Sequence, residues 1–230
     1  KGDLVISSNQ PKSILVHVLF EPNTFLEDTM TYDITAWSVP YVYGLQAYAT
    51  KSTIKTTDSQ RYFSKRDKLN SNPYAYILPW GGIDDIRFLS EIYQHNIVAR
   101  VSVEPFEIKK KRFERGTIIL TRKSNENLGD KFDDIIKKAA NKFNRPITSV
   151  ESGFVSKGKD FGSSSMRVIR KPKIGIISGN GVSSYSFGEV WHFFERQIEF
   201  PVSVIGSDYF SGIPKHNFDV IILPCGNHSY

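Results

Sequence analysis

A glycine- and serine-rich loop is the first place where this sequence could hold a ligand. Residues 179–184 read Gly-Asn-Gly-Val-Ser-Ser and follow an apolar strand-like run, residues 173–178. A loop between a strand and a helix offers backbone N–H groups and the positive end of a helix dipole to an anion. The spacing matches neither G-x-G-x-x-G nor the phosphate loop. The candidate ligand-binding residues are Gly179, Asn180, Gly181, Ser183 and Ser184, with helix capping by a serine as the alternative role.

The single cysteine is the other group with reactive potential. Cys225 follows the apolar run 218–223, and the carboxyl end of a parallel strand commonly presents functional groups. A thiolate nucleophile needs a base within reach and a third group that orients the base. His216 and His228 lie near Cys225 in sequence and could act as the base. No residue is evident that would orient that base, so we predict no catalytic residue. Cys225 joins the candidate ligand-binding residues, and a partly buried position in a tight turn is its alternative role.

His192 and Glu195 have the H-x-x-E spacing that zinc peptidases use for two neighbouring metal ligands. The apolar stripe of the same predicted helix centres on Phe187, Trp191 and Phe194. At about 100° per residue, His192 and Glu195 fall roughly 80 to 140° to one side of that stripe. They belong to its flank or its solvent face, and a third ligand is missing from the pattern. The sequence therefore predicts no metal site in this chain.

Composition excludes several classes of function. Of the 230 residues, 40% are hydrophobic and 13% aromatic, which predicts a folded, soluble chain. One cysteine excludes an internal disulfide and a zinc finger. The net charge of +6 is spread along the chain beside 24 acidic residues, and its dense run at 109–112 is interpreted as a solvated hairpin tip. Nucleic acid is therefore not an expected partner, and no apolar run reaches the roughly 18 residues of a membrane span.

The elements expected to position the candidate residues alternate between strand and helix. Apolar residues recur at helical spacing over 83–92, between two strand-like runs, which indicates a βαβ unit, and again from Phe132 to Phe143. Strands with continuous apolar character predict an α/β fold of mostly parallel sheets with helices on both faces. The predicted strands are residues 74–78, 97–103, 117–121, 147–150, 173–178, 202–205 and 218–223.

Changes in composition divide the chain into three predicted regions. Residues 1–72 contain short β-like runs, such as 14–20, and read as an extended, β-rich segment that continues from an upstream domain. Residues 73–165 form an α/β unit that ends in a Gly/Ser-rich loop. Residues 166–230 form a second α/β unit, which we expect to continue beyond Tyr230.

Segments spread over nearly the whole chain carry a resemblance to a known family. They include Gly-Asp-Leu-Val-Ile-Ser (2–7), Val-Leu-Phe-Glu-Pro (18–22), Tyr-Asp-Ile-Thr-Ala-Trp-Ser (32–38), Asp-Phe-Gly-Ser (160–163) and Ser-Phe-Gly-Glu-Val-Trp-His-Phe-Phe-Glu (186–195). Together they resemble the region downstream of the catalytic domain in bacterial zinc carboxypeptidase-like proteins of the carboxypeptidase A-like peptidase family.

The resemblance implies a class I glutamine amidotransferase-like, flavodoxin-type fold for the last region. It also implies a secreted bacterial protein, periplasmic or extracellular, whose upstream catalytic domain binds zinc and hydrolyses peptides. The expected partners are that upstream domain and a peptide substrate. The amidotransferase family carries its reactive cysteine in a G-x-C-x-G elbow, which this sequence lacks, and Cys225 stands where a glycine is expected.

Three functions are compatible with these residues. The first is a non-catalytic accessory or scaffold region that recognises substrate for the upstream metallopeptidase, with no cofactor of its own and zinc only in the parent protein. The second is a cysteine-dependent hydrolase or amidotransferase-like enzyme in which Cys225 works with His228 or His216. The third is a carbohydrate-binding or surface-binding module that uses exposed aromatic residues such as Trp37 and Trp80, which are more often core residues.

Overall fold

The structure is a computed structural model that describes residues 4–23, 38–55 and 69–226. Contacts between residues divide the chain into two compact units. The first comprises Lys1–Arg66 with Gly81–Ile83, and the second comprises Asp67–Trp80 with Asp84–Tyr230. No helix within the described ranges is long and apolar enough to cross a bilayer.

The first unit contains two short helices, α1 (Ser13–Phe20) and α2 (Val39–Val42), and no strand among its described residues. The strand predicted for residues 14–20 is therefore wrong. An isolated strand leaves its backbone groups without partners, whereas a helix forms those hydrogen bonds internally. None of the side chains of α1 is buried. Residues 32–37, which carry part of the resemblance and include Trp37, lie outside the described residues.

The second unit holds most of the regular structure. Its helices are α3 (Ile83–Gln94), which begins in the first unit, α4 (Lys131–Lys142) and α5 (Ser184–His192). Its strands are β1 (Ala75–Leu78), β2 (Ala99–Ser102), β3 (Phe106–Ile108), β4 (Lys111–Phe113), β5 (Ile118–Thr121), β6 (Thr148–Val150), β7 (Met166–Ile169), β8 (Ile174–Ser178), β9 (Ser203–Gly206) and β10 (Val220–Ile222). The seven strands predicted for residues 74–223 correspond to β1, β2, β5, β6, β8, β9 and β10, whereas β3, β4 and β7 were not predicted.

The larger sheet has five strands in the order β6-β1-β5-β2-β7, and every neighbouring pair is antiparallel. The connection β1-α3-β2 does place two strands in the same direction, but β5 lies between them and pairs with both. With α4 and β6 this gives the βαββαβ connectivity of ferredoxin-like folds, extended by β7 beside β2. The parallel arrangement predicted for residues 73–165 is therefore wrong.

The elements that pack on the two faces of this sheet explain why its strand direction was predicted wrongly. α3 and α4 pack on one face through residues such as Phe88 and Phe132. The other face is covered by the β3–β4 hairpin and by Phe161, whose ring lies 5.5 Å from the ring of Phe106. Every residue of β1 and β5 is buried, so both strands read as continuous apolar runs even though the sheet is antiparallel. In the larger sheet the helices therefore cover one face, whereas helices on both faces were predicted.

The smaller sheet has the order β10-β8-β9, and both of its pairs are parallel. α5 connects β8 to β9 and continues into a π-helical turn at Phe193–Gln197. The prediction of parallel strands is confirmed for this sheet. β7 belongs to the larger sheet, so the chain passes from one sheet to the other after Ile169 and not at residue 165.

Candidate functional site

The candidate residues lie at the carboxyl ends of two adjacent parallel strands. β8 is central in its sheet and leads into the loop that contains Gly179 and Gly181. β10 lies beside β8 and leads into the segment that contains Cys225. Because parallel neighbours end at the same edge of a sheet, the two loops meet. The structure thus brings together two segments that are separated by about forty residues of sequence.

Three contacts join these loops, and in one of them the acceptor is a side-chain hydroxyl. The Ser183 N–H donates a hydrogen bond to the Cys225 carbonyl oxygen at 2.9 Å. The Cys225 N–H donates to Ser186 Oγ at 3.0 Å. Val182 and Gly226 form an antiparallel bridge. We call residues 179–186 together with 225–226 the loop junction.

Gly226 is required by the close approach of the loops. A Cβ atom at this position would lie 2.2 Å from the Gly181 carbonyl oxygen and 2.9 Å from Val182 Cα. Both neighbours are backbone atoms, which cannot rotate away as a side chain can. Any larger residue at position 226 therefore forces the loop junction apart.

Ser183 is the N-cap of α5, and its Oγ accepts a hydrogen bond from the Ser186 N–H at 3.4 Å. The capping role weighed in the sequence analysis is therefore confirmed for Ser183. The N–H groups of the first helical turn have no intrahelical partners and carry the positive end of the helix dipole. Gly179, Asn180, Gly181 and Ser184 are exposed around this turn, so the helix end is accessible from solvent.

Ser207 is a residue at the same edge that the sequence analysis missed. It directly follows β9, and its Oγ is buried without a hydrogen-bond partner in the part of the chain that the structure describes. Its Oγ lies 3.2 Å from the position that a Cβ of Gly179 would take. A single serine after a short strand has no distinctive spacing, and only the pairing of β8 with β9 places it beside Gly179.

The Cys225 thiol is exposed, and both of its hydrogen bonds to other described residues are made by its backbone. His216 precedes β10 and Cys225 follows it, so the two residues lie at opposite ends of that strand. His192 is the last residue of α5, whereas Cys225 contacts the first turn of that helix. A nine-residue helix rises by about 13 Å, so His192 and Cys225 lie at opposite ends of α5. His228 lies outside the described residues.

His192 and Glu195 are both exposed, His192 at the end of α5 and Glu195 in the π-helical turn. Within residues 4–23, 38–55 and 69–226, no group of three His, Cys, Asp or Glu side chains is placed to hold a metal ion. The H-x-x-E pair therefore has no third ligand from the described part of the chain.

A polar cluster in the larger sheet has a structural role. Asp133 accepts a hydrogen bond from the Tyr76 hydroxyl at 2.8 Å and pairs with Arg122 at 2.6 Å. Burial, followed by the hydrogen bond to Asp133, raises the pKa of Tyr76 well above its ordinary value. Since Tyr76 and Arg122 both bind Asp133 beside the helix-side core, the cluster connects α4 to β1.

Comparisons of the chain with protein-family models, curated proteins and solved structures give no significant match.

Proposed function

We propose that this chain is a non-catalytic recognition region whose ligand binds at the loop junction. The observation that carries the proposal is the direct bonding of the two loops, through Ser183 to Cys225 and Cys225 to Ser186. These bonds hold exposed backbone groups and the first turn of α5 in one defined arrangement. A preformed arrangement reduces the conformational entropy that a ligand must overcome.

The strand order supports this location. The chain leaves β8 toward β9 on one side and later returns to β10 on the other side. Such a reversal is a topological switch point, and in open α/β sheets ligands bind there, outside the carboxyl ends of the strands. The order β9-β8-β10 corresponds to the first three strands of a flavodoxin-like sheet, so we propose that fold for the region from residue 170 onward.

We propose a peptide with a free carboxylate as the ligand. The first turn of α5 presents N–H groups and a partial positive charge, which complement an anionic group. The resemblance to the downstream region of zinc carboxypeptidase-like proteins suggests the same class of ligand, because those enzymes act at the carboxyl end of peptides. In this proposal the parent protein is secreted, and zinc and hydrolysis belong to its upstream domain.

The geometry offers little support for the cysteine-dependent enzyme. Neither His192 nor His216 is placed to take a proton from the Cys225 thiol. Nucleophilic catalysis by cysteine requires such a base within hydrogen-bond reach. The binding experiment below also distinguishes the two functions.

The test is an NMR titration of the 230-residue chain with short peptides that end in a free carboxylate. We expect chemical-shift changes centred on the loop junction and weaker binding of the same peptides with an amidated end. Gly226→Ala should abolish binding, whereas Cys225→Ser, which keeps the backbone bonds, should bind normally. Peptide cleavage that disappears in Cys225→Ser would instead establish the enzyme. Equal binding of amidated and free peptides would contradict a carboxylate site.

A further inference from the structure

The β3–β4 hairpin turns through two lysines. Ile108 pairs with Lys111, so Lys109 and Lys110 alone form the turn. Their φ angles are 51° and 62°, as a two-residue type I′ turn requires. This turn strongly prefers Asn-Gly, because positive φ is unfavourable for residues with a long side chain. Lysine at these two positions is thus conformationally unfavourable. Lys109 Nζ donates a hydrogen bond to the Ser149 carbonyl oxygen at 2.8 Å, which gives Lys109 a structural role, whereas Lys110 makes no such bond to another described residue. Backbone strain of this kind is concentrated at functional positions.

Additional basic residues surround the turn. Lys157 forms an antiparallel bridge with Glu107, and the N–H groups of Ser156 and Lys157 donate to the Glu107 carbonyl oxygen, so these two residues lie beside β3. Lys157 also pairs with the Glu107 carboxylate at 3.1 Å, and Arg112 pairs with Glu114 at 2.7 Å. Lys110 is exposed and has no ion pair with another described residue. The carboxylates of Glu107 and Glu114 are therefore engaged, and basic charge remains in excess at the turn.

An exposed aromatic residue lies toward the same end of the hairpin. In an antiparallel bridge, the residues that precede Lys157 run beside those that follow Glu107, so Phe154 extends toward the turn. The Phe154 side chain is 78% exposed. The rings of Phe106 and Phe113 are buried beneath the hairpin. We call Lys109, Lys110, Lys111, Phe154 and Lys157 the hairpin-tip surface.

We propose that the hairpin-tip surface docks onto an anionic lipid membrane. Lysine side chains are attracted to acidic lipid headgroups, and an exposed phenylalanine beside them can enter the boundary between headgroups and acyl chains. Proteins that bind single-stranded nucleic acid instead stack successive bases on several aromatic rings. Phe154 is the only exposed aromatic residue among the described residues of this surface. The combination therefore favours a lipid surface.

The test is co-sedimentation of the 230-residue chain with vesicles of phosphatidylcholine, with and without phosphatidylserine. We expect binding to the vesicles that contain phosphatidylserine, little binding to neutral vesicles, and a loss of binding at high salt, which screens the headgroup charge. Equal binding to both kinds of vesicle would overturn the proposal.

The decisive variant is Lys110→Gly, which installs the preferred residue at the second turn position and keeps the hydrogen bond from Lys109 to Ser149. It should raise the melting temperature and weaken vesicle binding about fivefold. Phe154→Ser should weaken binding about tenfold. The matched control is Lys138→Gln, which removes the same charge from an exposed position of α4, on the opposite face of the sheet. The control should retain binding.

Two results would overturn the assignment. If the control weakened vesicle binding as much as the turn variant, binding would follow net charge and not this surface. If the chain bound a DNA duplex tightly and anionic vesicles not at all, the lysines would serve nucleic acid instead.

Discussion

The two sheets of the second unit differ in how completely they are covered. Every residue of β1 and β5 in the antiparallel sheet is buried, with helices on one face and a hairpin on the other. In the parallel sheet, Val204 and Val220 remain 52% and 46% exposed, and α5 buries none of its residues. The antiparallel sheet is thus a complete core, whereas the parallel sheet carries the candidate ligand site on its loops.

This difference has a consequence for local stability. Segments with few buried apolar contacts open at lower free energy than a fully packed core. We therefore expect the loop junction and α5 to exchange amide hydrogens faster than β1 and β5.

The largest expected effect contrasts two phenylalanines. Phe132 is fully buried on the helix side of the antiparallel sheet, and Phe187 lies half-buried on α5. Phe132→Ala should lower the free energy of unfolding by about 3–5 kcal/mol, because it removes apolar contacts and leaves a cavity. Phe187→Ala should cost less than half as much. Urea unfolding followed by circular dichroism measures both, and equal losses would contradict the contrast.

The next effect concerns the ion pair between Asp85 of α3 and Arg145, which lies just after α4. Asp85 is fully buried, and Arg145 Nε lies 2.6 Å from its Oδ1. Arg145→Met should lower the free energy of unfolding by about 3 kcal/mol, since it deprives a buried charge of its partner. Asp85→Leu/Arg145→Met should recover part of that loss. The exposed pair of Arg112 and Glu114 is the control, and Arg112→Met should have no measurable effect in the same urea experiment.

Alkaline pH should destabilise the antiparallel sheet first. Burial raises the pKa of Tyr93 to about 12, and the pKa of Tyr76 is also raised, from an ordinary value near 10. The protonated forms favour the folded state, so this stability is complete below pH 10 and is lost as pH rises through the folded pKa values.

The loss should approach about 1.4 kcal/mol per pH unit for each tyrosine that stays protonated in the folded state. Urea midpoints at pH 9, 10 and 11 measure it, and Tyr93→Phe should make the decline shallower. Tyr185 and Tyr209 of the parallel region are exposed, so Tyr185→Phe is the control and should not change the slope. An unchanged slope in Tyr93→Phe would contradict this prediction.

The smallest effect compares two helix caps. Ser183 caps α5 through its side chain, whereas Asp130, the N-cap of α4, makes no such hydrogen bond. Ser183→Ala should cost about 1 kcal/mol and accelerate amide exchange in α5, and Asp130→Ala should cost less. Hydrogen exchange read by mass spectrometry resolves the two helices. The prediction would be contradicted if Asp130→Ala accelerated exchange in α4 more than Ser183→Ala accelerated exchange in α5.

The sequence predicted individual elements better than their arrangement. The apolar stripe from Phe132 to Phe143 identified α4, and the runs before Pro79 and Gly179 identified β1 and β8. Strand direction in the larger sheet was not predictable from those runs, because burial on both faces produces the same apolar pattern in parallel and antiparallel strands. In residues 14–20, apolar β-branched residues suggested a strand where the structure has a helix.

The candidate site was predicted in part. The sequence predicted that Gly179 lies between a strand and a helix and that Cys225 follows a strand, because each position depends on residues close by in sequence. The contacts of Ser183 with Cys225 and of Cys225 with Ser186 were not, since they join residues about forty positions apart. Ser207 likewise became relevant only when β9 was found beside β8.

The amino-acid sequence by itself determined where most helices and strands of the second unit form, because their apolar periodicity and turn residues act over a few positions. Only the tertiary structure decided that β5 inserts between β1 and β2, that β7 joins the larger sheet, and that two loops share one junction. Strand order and loop contacts depend on which distant surfaces bury one another, and that choice is made by packing of the whole unit and not by local conformational preference.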